Sequence, residues 1–194
     1  MNKRCVALTE EQYRRSIELL RSGFVLEGKL VKPNERIAAV EVVQASLGLR
    51  LGDVLQLKLS SFVKDGGRWR LDIREQKTGK VREFTVPVEV YSFIQGYSAS
   101  RSIARDAKLF NLSARQVERH LNRVFAKMSL PLRHYGSHSY RKMFATRVYR
   151  DSEYNIELVR LLLQHSNVQV TQRYLSISQK AVEDALAKTA GYVI

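Results

Sequence analysis

Apolar residues recur at helical spacing in two stretches near the start of the chain. Thr9 is placed to cap a helix that runs through Tyr13, Ile17 and Leu20 and stops at Gly23. A second helical pattern begins near Pro33 and Asn34 and carries Ile37, Val40, Val43 and Leu47. Gly48 breaks it, and a short helix is expected over residues 53–57. The period then changes to two. Phe62-Val63, the run from Trp69 to Ile73 and the run from Val81 to Val86 alternate, with Asp65-Gly66-Gly67 and Thr78-Gly79 between them. That pattern predicts a small three-stranded antiparallel sheet. After Pro87 helical spacing returns. Ser113 caps a helix bearing Val117, Leu121, Val124 and Met128, and further helices are expected over 137–150, 155–164 and 178–188. The fold class is mainly α with a small three-stranded antiparallel sheet (α+β), in one domain over residues 1–194.

Charge changes this picture more than composition does. Hydrophobic content of 44% and charged content of 27% suit a soluble globular domain. Thirty-three Lys and Arg against 19 Asp and Glu leave a net charge of +14. A surplus that large repels itself, and nucleic acid is the commonest acidic partner for it. Cys5 is the only cysteine, which rules out an intrachain disulfide and a Cys-based metal site. No apolar run approaches the ~20 residues of a membrane span, and the basic N-terminus lacks the apolar stretch of a secretory signal. A cytoplasmic, nucleoid-associated protein with no membrane partner is expected.

The densest polar constellation lies between His138 and Tyr174. His138 and Arg141 share one face of a predicted helix. Leu161-Leu162-Leu163-Gln164-His165 ends an apolar helix on a histidine, where the helix dipole favours the protonated ring. Tyr174 follows nine residues later, in Thr171-Gln172-Arg173-Tyr174. Upstream, Arg50 stands after Gly48-Leu49, and Lys77 sits in the turn between two predicted strands. Each of these residues alone has an ordinary structural explanation.

Taken together and in order, they resemble the tyrosine recombinases, the lambda-integrase family. The resemblance runs from Leu8-Thr9-Glu10 to the segment after Tyr174. The stretch from Gly48 to Leu57 is similar to the family's first-arginine segment, with Arg50 as that arginine and Asp53 at its acidic position. Lys77 matches the lysine of the sheet hairpin, His138 and Arg141 the His-x-x-Arg box, His165 the second histidine and Tyr174 the nucleophile. Three positions depart from the pattern: Gln164 where Gly is common, Tyr140 where Leu is frequent, and Asp53 where Glu is common.

The resemblance implies a site-specific recombinase or integrase that cuts and rejoins DNA through a 3′-phosphotyrosine at Tyr174, without metal, ATP or other cofactor. Arg50 and Arg141 would neutralise the phosphate, since a guanidinium forks onto two oxygens and keeps its charge. His138 would accept or orient the phenol proton, Lys77 would protonate the leaving 5′-oxygen, His165 would bond a phosphate oxygen, and Asp53 would support the site from behind. Double-stranded DNA is the implied partner, bound by four protomers in a synaptic complex, with a monomer expected in the absence of DNA. Residues 178–194 are the candidate for a segment exchanged between protomers. The stretch ahead of Pro33 is too short for the separate helical domain that clamps DNA in most relatives, so the resemblance implies either an excised catalytic domain or a compact recombinase similar to the fimbrial-switch enzymes. Arg115, Arg119, Arg123, Lys80 and Arg82 are candidate DNA contacts, with His120 on the same helix face.

Three rivals compete with this reading. His134 and His138 have a spacing that binds zinc on a helix, but Gly136 between them and the lack of a further ligand weigh against it. A non-catalytic DNA-binding regulator of the same fold explains the charge equally well, yet does not require Arg50, Lys77, Arg141 and Tyr174 together. A type IB topoisomerase shares the chemistry; the short chain and the spacing of His165 and Tyr174 favour a recombinase.

Overall fold

A computed structural model describes residues 5–175 of the chain. Helix α1 (Glu10–Ser22) opens with a reciprocal capping box between Thr9 and Gln12, and Gly23 ends it. Helix α2 (Glu35–Leu47) starts on the Asn34 side chain and stops at Gly48, which takes the left-handed conformation with φ 60°. A Cβ at Gly48 would run into the Phe144 ring, so this position needs glycine for space as well as for backbone freedom. Between the two helices lies a hairpin absent from the sequence expectation, β1 (Phe24–Leu26) and β2 (Lys29–Val31). Its strands are too short to show a period, but Glu27 and Gly28 both have positive φ, as a tight hairpin turn demands.

Helix α3 (Leu51–Val54) begins two residues earlier than expected, because the Arg50 carbonyl already accepts from the Asp53 and Val54 amides. The expected sheet follows as β3 (Phe62–Asp65), β4 (Arg68–Arg74) and β5 (Val81–Val86), in that order and antiparallel. Phe62, Leu71 and Val86 face the core, while Trp69 stacks on Tyr91 of α4 (Val88–Ser100) at 3.7 Å between ring centroids. Helices α5 (Ala114–Lys127), α6 (His138–Asp151), α7 (Ile156–Leu163) and α8 (Val168–Leu175) complete the described chain. The helix expected over 178–188, and the exchanged segment it belongs to, lie outside the described residues. No helix among those described is long and apolar enough to cross a membrane.

The core is built around α2, which is buried on nearly every side and packs on α1, α4 and α6. One of its buried residues is out of character. Glu41 is fully buried, and among the described residues neither carboxyl oxygen has a hydrogen-bond partner. Burial, reinforced by the charge of Glu118, holds its pKa well above the ordinary range, so the folded chain keeps it protonated. An acid whose folded pKa is raised favours folding below its unfolded value and withdraws that support as pH climbs through the folded one. Leaving a polar group buried and unpaired costs about 1–3 kcal/mol. Glu41→Leu is therefore expected to raise stability at pH 8 by about that amount and to flatten its decline from pH 5 to 8, read from urea midpoints at the two pH values.

Candidate active site

Arg50 stands at the start of α3, where α2 has just ended, and its side chain keeps 19% of its surface exposed. Its Nη1 donates to Oε2 of Glu75, a carboxylate with no exposed surface at the end of β4. Oε1 of the same carboxylate accepts from Arg82 Nη1 at 3.0 Å, and Oε2 also accepts from Thr78 Oγ1 at 2.8 Å. Burial alone would push the Glu75 carboxyl up. The hydrogen bonds from Thr78, Arg82 and Arg50, with the Arg50 charge, outweigh it and hold the carboxyl below its ordinary range. Glu75 is therefore the shared anion of two arginines.

Arg82 was expected to contact DNA, and the fold corrects that expectation. Only 1% of it is exposed, and its Nη2 donates to the Leu47 carbonyl at 3.2 Å and the Leu162 carbonyl at 2.6 Å. Arg141 does the same work one residue further along at each helix end. Fully buried on α6, it donates from Nη1 to the Gly48 carbonyl and from Nη2 to the Leu163 carbonyl at 3.0 Å. Two guanidinium groups thus join the C-terminal end of α2 to that of α7, where the helix dipoles are negative. The first of these ends leads directly to Arg50, the second to His165.

Lys77 is exposed at the tip of the β4–β5 connection, whose base is closed by the Glu75 amide on the Lys80 carbonyl at 2.9 Å. Asp53, 3% exposed, accepts the Gln76 amide at 2.8 Å and so fastens this hairpin to α3. Lys77 is near enough for its charge to act on His138.

Both histidines are held far below their ordinary pKa. Burial, then the charges of Arg141, Lys142, Arg50 and Lys77, bring His138 to about 4. Burial, then Arg141, Arg50, His138 and Arg82, bring His165 to about 4 as well. The helix dipole was expected to favour a protonated His165; burial, and then the cations around it, outweigh the dipole, and at neutral pH the ring is uncharged. His165 Nδ1 shares a hydrogen bond with Thr171 Oγ1 at 3.0 Å, which ties the ring to α8. Tyr174 belongs to α8, and its side chain lies outside what the structure describes. Leu175 beside it packs with Phe144, Ala145, Val159 and Leu163 of α6 and α7.

The sequence profile of the phage integrase family matches residues 7–181. The chain belongs to the phage integrase family, the tyrosine recombinases. Its fold is that of a recombinase catalytic domain. XerH site-specific recombinase, in a post-cleavage complex with a palindromic difH substrate, superposes with a TM-score of 0.70 at 19% identity, over 94% of this chain and 52% of that one. XerA recombinase gives 0.67 at 24% identity, over 94% and 63%. The catalytic domain of bacteriophage HP1 integrase gives 0.63 at 19% identity, over 94% of both chains. The chain thus spans about half the length of the XerH protein. No curated protein matches its sequence.

Within this recombinase fold, Gln164 explains one departure from the family's usual pattern. It takes the left-handed conformation at the end of α7, with φ 52°, where a glycine is at ease. Its Nε2 donates to the Val81 carbonyl at 2.8 Å, which anchors the strained residue to β5. On α5, Arg115, Arg119 and Arg123 form an exposed row at four-residue spacing opposite buried Val117, Leu121 and Val124. Burial, then Arg123 and Arg119, lowers the pKa of His120 on the same helix. Lys80 is exposed as well. Sequence reasoning missed Glu75 and the internal role of Arg82. The one available signal was a carboxylate and an arginine flanking the lysine turn on adjacent strands, and that pattern is shared by any surface ion pair.

Proposed function

We propose that this recombinase cuts and rejoins DNA by transesterification at Tyr174. The phenol oxygen attacks phosphorus, the bond to the 5′-oxygen breaks, and a 3′-phosphotyrosine and a free 5′-hydroxyl result. The phenol proton passes to His138, and Lys77 supplies one to the leaving oxygen. Reversing the step with another strand's 5′-hydroxyl rejoins the backbone without ATP, because the phosphodiester energy is retained.

The observation that carries this reading is the gathering of Arg50, Arg141 and Lys77 close enough to His138 for their charges to act on it. Guanidinium charges offset the negative charge that builds on the phosphate oxygens. Arg141 has no exposed surface, so docking of DNA has to open the chain over it before it can meet the phosphate. His165 would bond a phosphate oxygen, and Asp53 would hold the lysine hairpin in place. The exposed row on α5 and Lys80 would follow the DNA backbone with salt-sensitive affinity. Strand exchange between two duplexes requires four such protomers, in a cytoplasmic, nucleoid-associated complex.

Covalent trapping on a pool of nicked duplexes in EDTA tests the proposal. The expected result is an adduct whose peptide map ends on Tyr174, and its complete loss in Tyr174→Phe. An adduct on another tyrosine would show the site to be misassigned. No adduct despite salt-sensitive DNA binding would favour a binding protein of the same fold.

A further inference from the structure

We infer that Glu75 is a positioning residue that holds Arg50 in its reactive orientation and makes Arg50 and the Lys77 hairpin one rigid unit. The inference rests on the reading of Arg50 as a phosphate ligand. Arg50 sits on a chain segment that has just left α2, with no side-chain cap of its own and a partly exposed guanidinium. A long side chain in that position has several rotamers open to it, and holding one of them loses entropy. Glu75 removes that freedom from within the protein, where its carboxylate is shielded from water.

The carboxylate is itself fixed from three directions. Arg82 holds one oxygen from beneath, and Thr78 and Arg50 share the other. Arg82 is in turn tied to two main-chain carbonyls, so the whole chain of contacts is referred to the ends of α2 and α7. On its other side Glu75 is continuous with the lysine turn. Its amide meets the Lys80 carbonyl, its carbonyl meets the Gly79 amide at 2.9 Å, and Thr78 lies inside the same turn. Any displacement of the turn therefore displaces the carboxylate that Arg50 grips. Arg50 would face the phosphate and Lys77 the leaving oxygen, two atoms bonded to each other, so a common mount suits both. Thr78, Arg82 and Arg50 together hold the Glu75 carboxyl low, and of these Arg50 and Thr78 reach solvent.

The tether predicts a loss of rate rather than of affinity. Misplacing a reacting group by about 1 Å can cost about 10²-fold. Glu75→Gln keeps the shape but removes the charge, and Thr78→Val removes one support at an exposed position where folding is not at risk. Each is expected to lower the single-turnover cleavage rate at saturating suicide duplex by roughly tenfold to a hundredfold, with DNA affinity changed less than about twofold. Adding Glu75→Gln to Arg50→Lys should cause little further loss, because the residue acts through Arg50. Should Glu75→Gln fail to fold, Thr78→Val and its double variant with Arg50→Lys carry the same test. Unchanged rates in the folded variants, or losses that multiply in the Arg50→Lys background, would overturn the inference. A wild-type chain that forms no adduct overturns the reading of the reaction instead. The tether is then decided by a double-mutant cycle of urea unfolding on Arg50 and Glu75, where coupling supports it and additivity overturns it.

Discussion

Arg141→Lys is expected to slow DNA cleavage by about 10²–10³-fold, the usual effect of removing one fixed donor from the site of a developing oxyanion. The exchange keeps the charge, so a point-charge account predicts almost no change. Geometry predicts otherwise. Arg141 donates to the Gly48 and Leu163 carbonyls from two different nitrogens of one planar group. A lysine ammonium has three donors on one atom and cannot span two carbonyls and an incoming phosphate in that fork. Its weaker hold on α7 also shifts His165, which follows that helix end. The loss should appear in the single-turnover rate, with the salt dependence of DNA binding almost unchanged, since the number of phosphates neutralised stays the same. A rate within about threefold of wild type would show that charge alone is needed at this position.

Arg82→Met should have the largest effect on stability. It strips the buried Glu75 carboxylate of one counter-ion and removes the donor to two interior carbonyls. Breaking a buried pair by deleting one partner costs about 3–5 kcal/mol. For a domain of this size that lowers Tm by roughly 6–20 °C. The pH dependence should change with it. Because the folded chain holds Glu75 below its ordinary value of 4.5, its contribution is present above that value and is lost as pH falls through the folded one. In Arg82→Met that acid limb should shrink, as seen in thermal melts between pH 3 and 6. Combining it with Glu75→Leu should recover part of the loss, and the remaining deficit reports the two carbonyl ties.

The long helices with a capping residue were legible in the sequence because caps and periods agree. Thr9, Asn34, Ser113 and Asn155 each cap where a helical pattern begins, and Gly23 and Gly48 stand where one ends. The sheet was legible for the same reason, with turn residues between alternating runs. The β1–β2 hairpin was not, since three residues are too few to display a period of two. Among the site residues, the family pattern supplied Arg50, Lys77, His138, Arg141, His165 and Tyr174 as the proposed reacting set. It was silent on Glu75, and it placed Arg82 on the DNA when the fold turns it inward. No local rule separates a lysine-flanking arginine that faces solvent from one that faces the core; the Leu162 carbonyl of α7 helps decide it, and that contact spans 80 residues of sequence. His165 shows the same limit in its protonation. A helix end favours a charged ring, but only the folded chain reveals that the ring is buried and surrounded by cations.

The double arginine bridge between α2 and α7 has a consequence for how this chain can diverge. All four of its acceptors are main-chain carbonyls, at Leu47, Gly48, Leu162 and Leu163. Every amino acid supplies a carbonyl, so as far as the bridge is concerned the side chains at Leu47, Leu162 and Leu163 can drift without loosening it. Pairs of positions that change in step through evolution reveal contacts between side chains. A contact whose one partner is the backbone leaves no such trace. Methods that reconstruct contacts from correlated substitutions will therefore be blind to the link between the ends of α2 and α7, and of the Arg82 contacts will see only the one to the Glu75 side chain.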